Sequence, residues 1–167
     1  MASRLLEQAR TMAAFEIWAN GRALASLGTV AAARRSEGAY ARARSILAHN
    51  QMARQLWLSR LGAAASPAWV AFPDWPLERI EREAAELDAK WAAFIAGLSE
   101  ADLAREVRYS GTDGSAYGST VGDILTHVLN HSTYHRGQVA SLAASLGGTP
   151  AETDFILFTR REYPSAG

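Results

Sequence analysis

Residues 120–146 read TVGDILTHVLNHSTYHRGQVASLAASL, and this stretch decides the fold. Its apolar side chains recur mostly at three- and four-residue steps, as one face of a helix requires; they are Ile124, Val128, Val139, Leu142 and Leu146. The pattern stops at Gly147 and Gly148, with Pro150 beyond, which is typical of a helix end. The stretch therefore predicts a long amphipathic helix whose apolar face other elements must cover.

Three further long helices are predicted in the rest of the chain. Similar apolar stripes cover residues 5–27, 38–62 and 76–98, and a loop rich in proline and aromatic residues separates the second stripe from the third. Apolar and charged residues alternate within residues 105–120, around a turn at residues 112–115, and this pattern predicts a small two-stranded hairpin. Residues 152–161 add a short helix or a turn. Residues 1–167 are thus expected to form one all-α domain, a four-helix bundle with a minor β-hairpin before the last long helix.

The bulk composition excludes several classes of protein. Seventeen basic residues balance seventeen acidic ones, so nucleic acid is not an expected partner. One local group of arginines is interpreted as a solvated loop and helix start; it comprises Arg34, Arg35, Arg42 and Arg44. The absence of cysteine removes disulfides, thiolate ligands and a cysteine nucleophile. No secretory signal and no apolar run near ~18 residues is present, which predicts a cytoplasmic protein without a membrane partner.

Three of the four histidines lie in the long helix of residues 120–146, at His127, His131 and His135. Residues four apart lie on the same face of a helix, an arrangement by which two imidazoles can bind one ion. A helical projection places His135 nearest the apolar centre, with His131 beside it. His127 lies about 80° from His135, so it is expected to support a ligand or to lie at the surface. The predicted pair of metal ligands is His131 and His135.

The remaining histidine, His49, lies between Ile46 and Ala53 on the inward stripe of the second predicted helix. Three buried imidazoles without partners would leave costly unsatisfied polar atoms, whereas one divalent metal ion satisfies all three. The alternative is that each histidine is a hydrogen-bonded core or surface residue. Three protein ligands leave a coordination position for water or substrate, which is the layout of a catalytic metal site.

Other chemistry-bearing residues are sparse. Ser132 stands where a zinc peptidase of the HExxH type has its glutamate, and motifs for nucleotide binding or serine hydrolysis are absent. In the first helix Glu16 interrupts the apolar stripe, and Asn20 follows one turn later. Either residue is a candidate for orienting a metal ligand, and Glu16 is also a candidate base; equally, Glu16 could pair with an arginine. Three tryptophans could line a substrate pocket, although aromatic rings at helical spacing usually belong to the core; they are Trp18, Trp57 and Trp91.

The run from His127 to Gln138, HVLNHSTYHRGQ, resembles the signature of the DinB/YfiT superfamily. The segments ILAH at residues 46–49, QLWLSRL at 55–61 and WAN at 18–20 look like other landmarks of that family. The resemblance spans nearly the whole chain.

This resemblance implies a bundle with an up-up-down-down path and a long crossover, often dimeric, that binds zinc or nickel through His49, His131 and His135. Several members are S-transferases or isomerases that use low-molecular-weight thiols. We therefore expect a metal-dependent enzyme of the thiol S-transferase or hydrolase type that acts on a small-molecule substrate as a homodimer. The alternative is a bundle without catalysis that binds a metal or a ligand in a stress response. No catalytic residue is assigned from the sequence, and Arg136, which projects away from the histidine face, is expected to brace a helix contact or a carboxylate.

Overall fold

The computed structural model describes residues 4–111 and 113–162. The elements, in chain order, are the helix α1 (Arg4–Gly28), a 3-10 turn (Ala32–Arg34), α2 (Gly38–Arg60), α3 (Leu77–Ala96), α4 (Glu100–Leu103), the strands β1 (Glu106–Ser110) and β2 (Ala116–Thr120), α5 (Val121–Ser145) and α6 (Phe155–Thr159). The four long helices and the hairpin agree with the predicted elements. The 3-10 turn and α4 were not predicted, because each is too short to show a periodic apolar pattern.

Local side-chain chemistry determines both ends of α5. At its start the Thr120 hydroxyl accepts the backbone N–H of Asp123, which satisfies one of the free donors of the first turn. At its end the Gly148 N–H donates to Ala143 O and the Gly147 N–H donates to Ala144 O, the pair of bonds of a Schellman motif. Gly147 has φ +70°, a conformation that side chains disfavour, so the predicted glycine stop is confirmed.

The four long helices form a ring in which α5 and α3 each pack against both α1 and α2. Contacts between Glu16 and Arg136 and between Thr29 and Thr149 show that α1 and α5 are parallel. The helix α2 runs antiparallel to α5, because Trp57 contacts His127 near the start of α5 and His49 contacts its middle. The helix α3 is parallel to α2, since Arg44 pairs with Asp74 and, further along both segments, Arg54 pairs with Asp88.

Along the chain the long helices therefore run up, down, down and up. The expected up-up-down-down order is found on going around the ring through α1, α5, α2 and α3, and not along the chain. The physical reason is that the short connection after α1 reverses the chain at once, whereas residues 61–76 return along the bundle so that α3 can lie parallel to α2. This segment is the long crossover, and its sixteen residues can span about 50 Å, more than the roughly 35 Å length of α2.

Two apolar clusters fill the bundle. One lies at the end where α1 and α5 finish and includes Leu27, Ile46, Ile80 and Val139; the other lies at the opposite end and includes Leu6, Leu58, Trp91 and Ile124. Buried polar side chains occupy the middle level of the bundle, among them His49, His135 and Arg136. The polar layer between two apolar clusters is therefore where the chemistry of this fold is concentrated.

The antiparallel hairpin pairs Val107 with Ser119 and Tyr109 with Tyr117. Of the predicted turn at residues 112–115, Thr112 lies outside the described residues. Tyr109 packs edge-on against Trp57, which joins the hairpin to α2. Among the described residues, no helix combines the length and the apolar character needed to cross a membrane.

Candidate metal centre

Three histidines from two helices meet where α2 faces α5. One ring nitrogen of each of His49, His131 and His135 lies within 4.8 Å of the other two. The Nε2 atoms of His49 and His131 are 3.1 Å apart, and the ring centroids of His131 and His135 are 4.6 Å apart. His49 and His135 are buried, whereas His131 is partly exposed, so the cluster is accessible from the side of His131. The structure thus brings together all three histidines predicted as ligands.

Hydrogen bonds on the far side of two rings fix the direction of their free nitrogens. Nδ1 of His49 contacts the backbone carbonyl of Ala71, and Nδ1 of His135 lies 2.8 Å from Oε1 of Gln138. Both partners are acceptors, so each Nδ1 carries the proton and each Nε2 keeps its lone pair. Partners of this kind are typical of metal-binding histidines, because they set the tautomer and hold the ring in place.

The surroundings keep two of these rings neutral. Burial, together with the smaller effect of the neighbouring rings of His135, His49 and His127, lowers the pKa of His131 to about 4. The pKa of His49 is also lowered, mainly by burial, although its bond to Ala71 opposes the shift. A neutral imidazole is the form that binds a cation, so these two side chains are ready to coordinate at neutral pH.

The crossover segment forms one wall of the site. Phe72 stacks on His49 with a centroid distance of 4.3 Å, and Trp69 contacts the same ring edge-on at 6.0 Å. The guanidinium of Arg42 lies 4.6 Å from the Phe72 ring centroid. The same segment therefore orients His49 through Ala71, shields it from water through aromatic rings, and lies next to a positive charge.

The donor set fits a borderline divalent cation. Bonds of about 2.1 Å from a tetrahedral ion to imidazole nitrogen place the donor atoms about 3.4 Å apart, close to the 3.1 Å between the His49 and His131 nitrogens. The widest separation, 4.8 Å, exceeds that value, so binding would require the rings to move closer together. Imidazole nitrogens suit zinc and nickel, whereas calcium and magnesium prefer oxygen ligands.

Glu16 and Asn20, considered above as groups that orient a ligand, lie in a different polar cluster. Glu16 accepts bonds from Arg136 at 2.7 Å and from Asn20 at 2.8 Å, and Arg136 also donates to Asn20 at 3.0 Å. All three side chains are buried between α1 and α5. The expectation that Glu16 or Asn20 serves the metal site therefore gives way to the alternative of a carboxylate paired with an arginine, because Arg136 points toward α1 and away from the histidine face.

His127 lies at the edge of the site. Its side chain is exposed, its ring centroid is 5.7 Å from that of His131, and it packs edge-on against Trp57 at 5.0 Å. The surface position considered for His127 agrees with this placement.

Two contributors to the site were not assigned a role from the sequence. Gln138 lies three residues after His135, so helical spacing was a signal that could have identified it as a partner on the same face. The sequence carries no such signal for the Ala71 carbonyl, because the position of a backbone acceptor in a loop depends on the path of the crossover and not on the identity of the side chain.

The fold and the site together define a class of protein, a four-helix bundle with a crossover and a cluster of three histidines that could hold a metal ion. The chain belongs to the DinB family, whose model matches residues 18–166. It is 27% identical over 82 residues to the protein DinB of Bacillus subtilis (strain 168), a match that covers 49% of this chain and 46% of that relative. The match thus spans about half the length of the curated relative. No solved structure gave a significant match to this chain.

Proposed function

We propose that this chain binds one divalent cation, zinc or nickel, through His49, His131 and His135, and that it catalyses a reaction of the thiol S-transferase or hydrolase type on a small molecule. The observation that carries the proposal is the geometry of the three rings. Two of them have their Nδ1 atoms held by acceptors, so that their Nε2 lone pairs are directed to a shared point. Without a cation, the 3.1 Å contact between His49 and His131 is the one hydrogen bond that the described residues give to these Nε2 atoms.

A bound ion with three protein ligands supplies an open position and the Lewis acidity that lowers the pKa of a water or thiol at that position. The residues of this chain account for the rest of the site. Phe72 and Trp69 exclude water from one side of His49, and the partly exposed His131 lies on the side that remains accessible. Arg42 places a positive charge beside this wall, which favours an anionic partner such as a thiolate or a carboxylate.

A low-molecular-weight thiol as co-substrate and a homodimeric state are parts of the same proposal and rest on family membership. The proposal also keeps the cytoplasmic location that is expected from the sequence. Fractionation of cells and sedimentation velocity of the purified protein test the last two. A protein recovered from the membrane or outside the cell, or a monomer at high protein concentration, would contradict them.

Metal analysis tests the binding step. Protein purified without chelators should contain about one equivalent of divalent metal, and His49→Ala, His131→Ala and His135→Ala should each lose most of it. His127→Ala is the matched control, because this histidine lies on the same helix but outside the cluster. Unchanged metal content in all three ligand variants would remove the proposal.

A panel of thiol-conjugation and hydrolysis assays tests the catalytic step. Metal-loaded protein should turn over at least one substrate class, and His49→Ala should abolish that activity while His127→Ala retains it. Absence of activity across the panel, with metal binding intact, would instead favour the bundle without catalysis.

A further inference from the structure

A cavity lies away from the histidines, at the end of the bundle where α1 and α5 begin. Its volume is about 670 Å³, within the range of about 300–1,000 Å³ that is common for small-molecule sites. The walls are mostly apolar, formed by residues of α1, α3, α4 and α5 that include Leu5, Met12, Ala13, Ile95, Leu125 and Leu129. None of the three histidines of the metal centre lines it.

Two buried hydrogen-bond donors in the wall of this cavity lack a partner. Trp91 is 5% exposed and Arg54 is 1% exposed, and both side chains line the cavity. Within the described part of the chain, neither Trp91 Nε1 nor Arg54 Nε makes a hydrogen bond, and the approach of Arg54 Nε to Glu16 Oε1 is 4.0 Å. A buried N–H without an acceptor is costly, so these two atoms indicate a missing acceptor next to the cavity that their side chains line.

The charged groups that the described residues place around the cavity leave no free cation for an anionic ligand. Glu16 pairs with Arg136 at 2.7 Å, and Arg54 pairs with Asp88 at 2.5 Å, while Glu100 adds a further carboxylate to the wall. Glu16 also lines the cavity, and a ligand carboxylate would have to be buried beside it. Two like charges in a poorly solvated space repel strongly, so the missing acceptor should be uncharged.

We infer that this cavity binds a small, mainly apolar, uncharged molecule whose buried end carries a hydrogen-bond acceptor, such as a carbonyl, held by Trp91 Nε1 and Arg54 Nε. The apolar body lies against the walls contributed by α1 and α5, where it removes apolar surface from water. This site is separate from the metal centre and does not depend on the function proposed there.

Three probes of similar shape test the inference: butyrophenone has a carbonyl, butylbenzene lacks it, and 4-phenylbutyrate carries a negative charge. Titrations of the full-length protein should show butyrophenone binding about three- to tenfold tighter than butylbenzene, the effect of one net hydrogen bond. 4-Phenylbutyrate should bind more weakly than butyrophenone. The chain has five tryptophans, so the indole N–H signal of Trp91 can be assigned with Trp91→Phe, and it should move downfield with butyrophenone only.

Matched variants locate the binding site. Ala13→Trp fills the cavity and should weaken both neutral probes at least tenfold, whereas Ala14→Trp places the same side chain on the exposed face of α1 and should not. Trp91→Phe should reduce the preference for butyrophenone over butylbenzene at least twofold, whereas Trp18→Phe, outside the cavity, should leave it unchanged. His49→Ala, which lacks a ligand of the metal centre, should bind both neutral probes as the wild type does and should still bind 4-phenylbutyrate more weakly than butyrophenone.

Several results would overturn the inference. They are equal binding of the two neutral probes with no movement of the Trp91 signal, tighter binding of 4-phenylbutyrate than of butyrophenone by His49→Ala, or no binding of butyrophenone up to its solubility. If Ala13→Trp does not fold, the titrations and the Trp91 signal of the wild type decide. Dissociation of a dimer by Ala13→Trp, with no probe binding to the wild type, would show that a second copy covers this face instead.

Discussion

His49 and His131 are 82 residues apart in the chain, yet their Nε2 atoms lie 3.1 Å from each other. The antiparallel packing of α2 on α5 produces this contact, with Trp57 and His127 forming a second contact in the same direction along the pair of helices. Nδ1 of His49 carries its proton toward Ala71, so the lone pair of Nε2 faces His131. A cation between the two rings would bind both lone pairs, whereas without one His131 must supply a proton to the contact.

Gln138 should tune the affinity of the metal site without being a ligand. Its Oε1 accepts the proton of His135 Nδ1, and loss of such a partner typically weakens metal binding about 10- to 100-fold. We expect this range for Gln138→Leu in competition with a chelator, whereas Gln138→Glu keeps an acceptor and should stay within a few-fold of the wild type. Equal affinities of Gln138→Leu and the wild type would show that the bond does not support the site.

Phe72 should contribute to the metal site as well as to the stability of the fold. It is 41% exposed, so Phe72→Ala removes less buried surface than truncation of a core phenylalanine would, but it also removes the ring that stacks on His49. We expect the metal affinity to fall several-fold and the free energy of unfolding to fall by about 1–2 kcal/mol, less than the roughly 3–5 kcal/mol that is typical of a fully buried phenylalanine. Val70→Ala, in the same segment and 52% exposed, is the control and should change neither value.

Local sequence patterns predict only some parts of the metal site. The helix bounds and the pair of His131 and His135 follow from local periodicity, which depends only on residues that are close together in the sequence. His49 was identified because it lies on an apolar stripe that must face another helix. The placement of Ala71 over His49 was not predictable in this way, since the path of the crossover depends on α3 lying parallel to α2.

The sequence limits the partner of Glu16 to two kinds, a metal centre or an arginine, but does not decide between them. A carboxylate on an apolar stripe needs a positive partner, and both a metal centre and an arginine satisfy that need. Only the relative rotation of α1 and α5 brings Arg136, and not a histidine, to within 2.7 Å of it. Such a choice between two partners depends on packing over long range.

The metal-free protein should become less stable as the pH falls from about 6.5 to about 4. In the folded state the pKa of His131 is lowered to about 4, mainly by burial, from an ordinary value of 6.5, so the unfolded chain binds more protons over this interval. Each unit of difference in pKa between the folded and the unfolded state is worth about 1.36 kcal/mol. Because solvent screens a partly buried ring, we expect this residue to lower the free energy of unfolding by about 2 kcal/mol over the interval.

Urea denaturation of metal-stripped protein at pH 7, 5.5 and 4.5 measures this effect. His131→Asn removes the titrating ring and should lose less stability over the same interval. His127→Asn should show a smaller change in the same direction, because partial burial and the nearby Arg60 also lower the pKa of His127. Parallel pH profiles for the wild type and His131→Asn would contradict the prediction.

Replacing only one partner of the buried ion pair between Glu16 and Arg136 should strongly lower the free energy of unfolding. Arg136 is 2% exposed, and Arg136→Met leaves the Glu16 carboxylate buried without its closest cation, a change that typically costs about 3–5 kcal/mol. Glu16→Leu combined with Arg136→Met removes both charges and should recover a large part of that loss, because apolar side chains then fill the space between α1 and α5. Arg108→Met, which breaks an exposed pair, is the control and should cost less than about 1 kcal/mol. Because this pair lies apart from the histidines, the double variant should still bind one equivalent of metal. Loss of metal at unchanged stability would instead show that Glu16 supports the metal site.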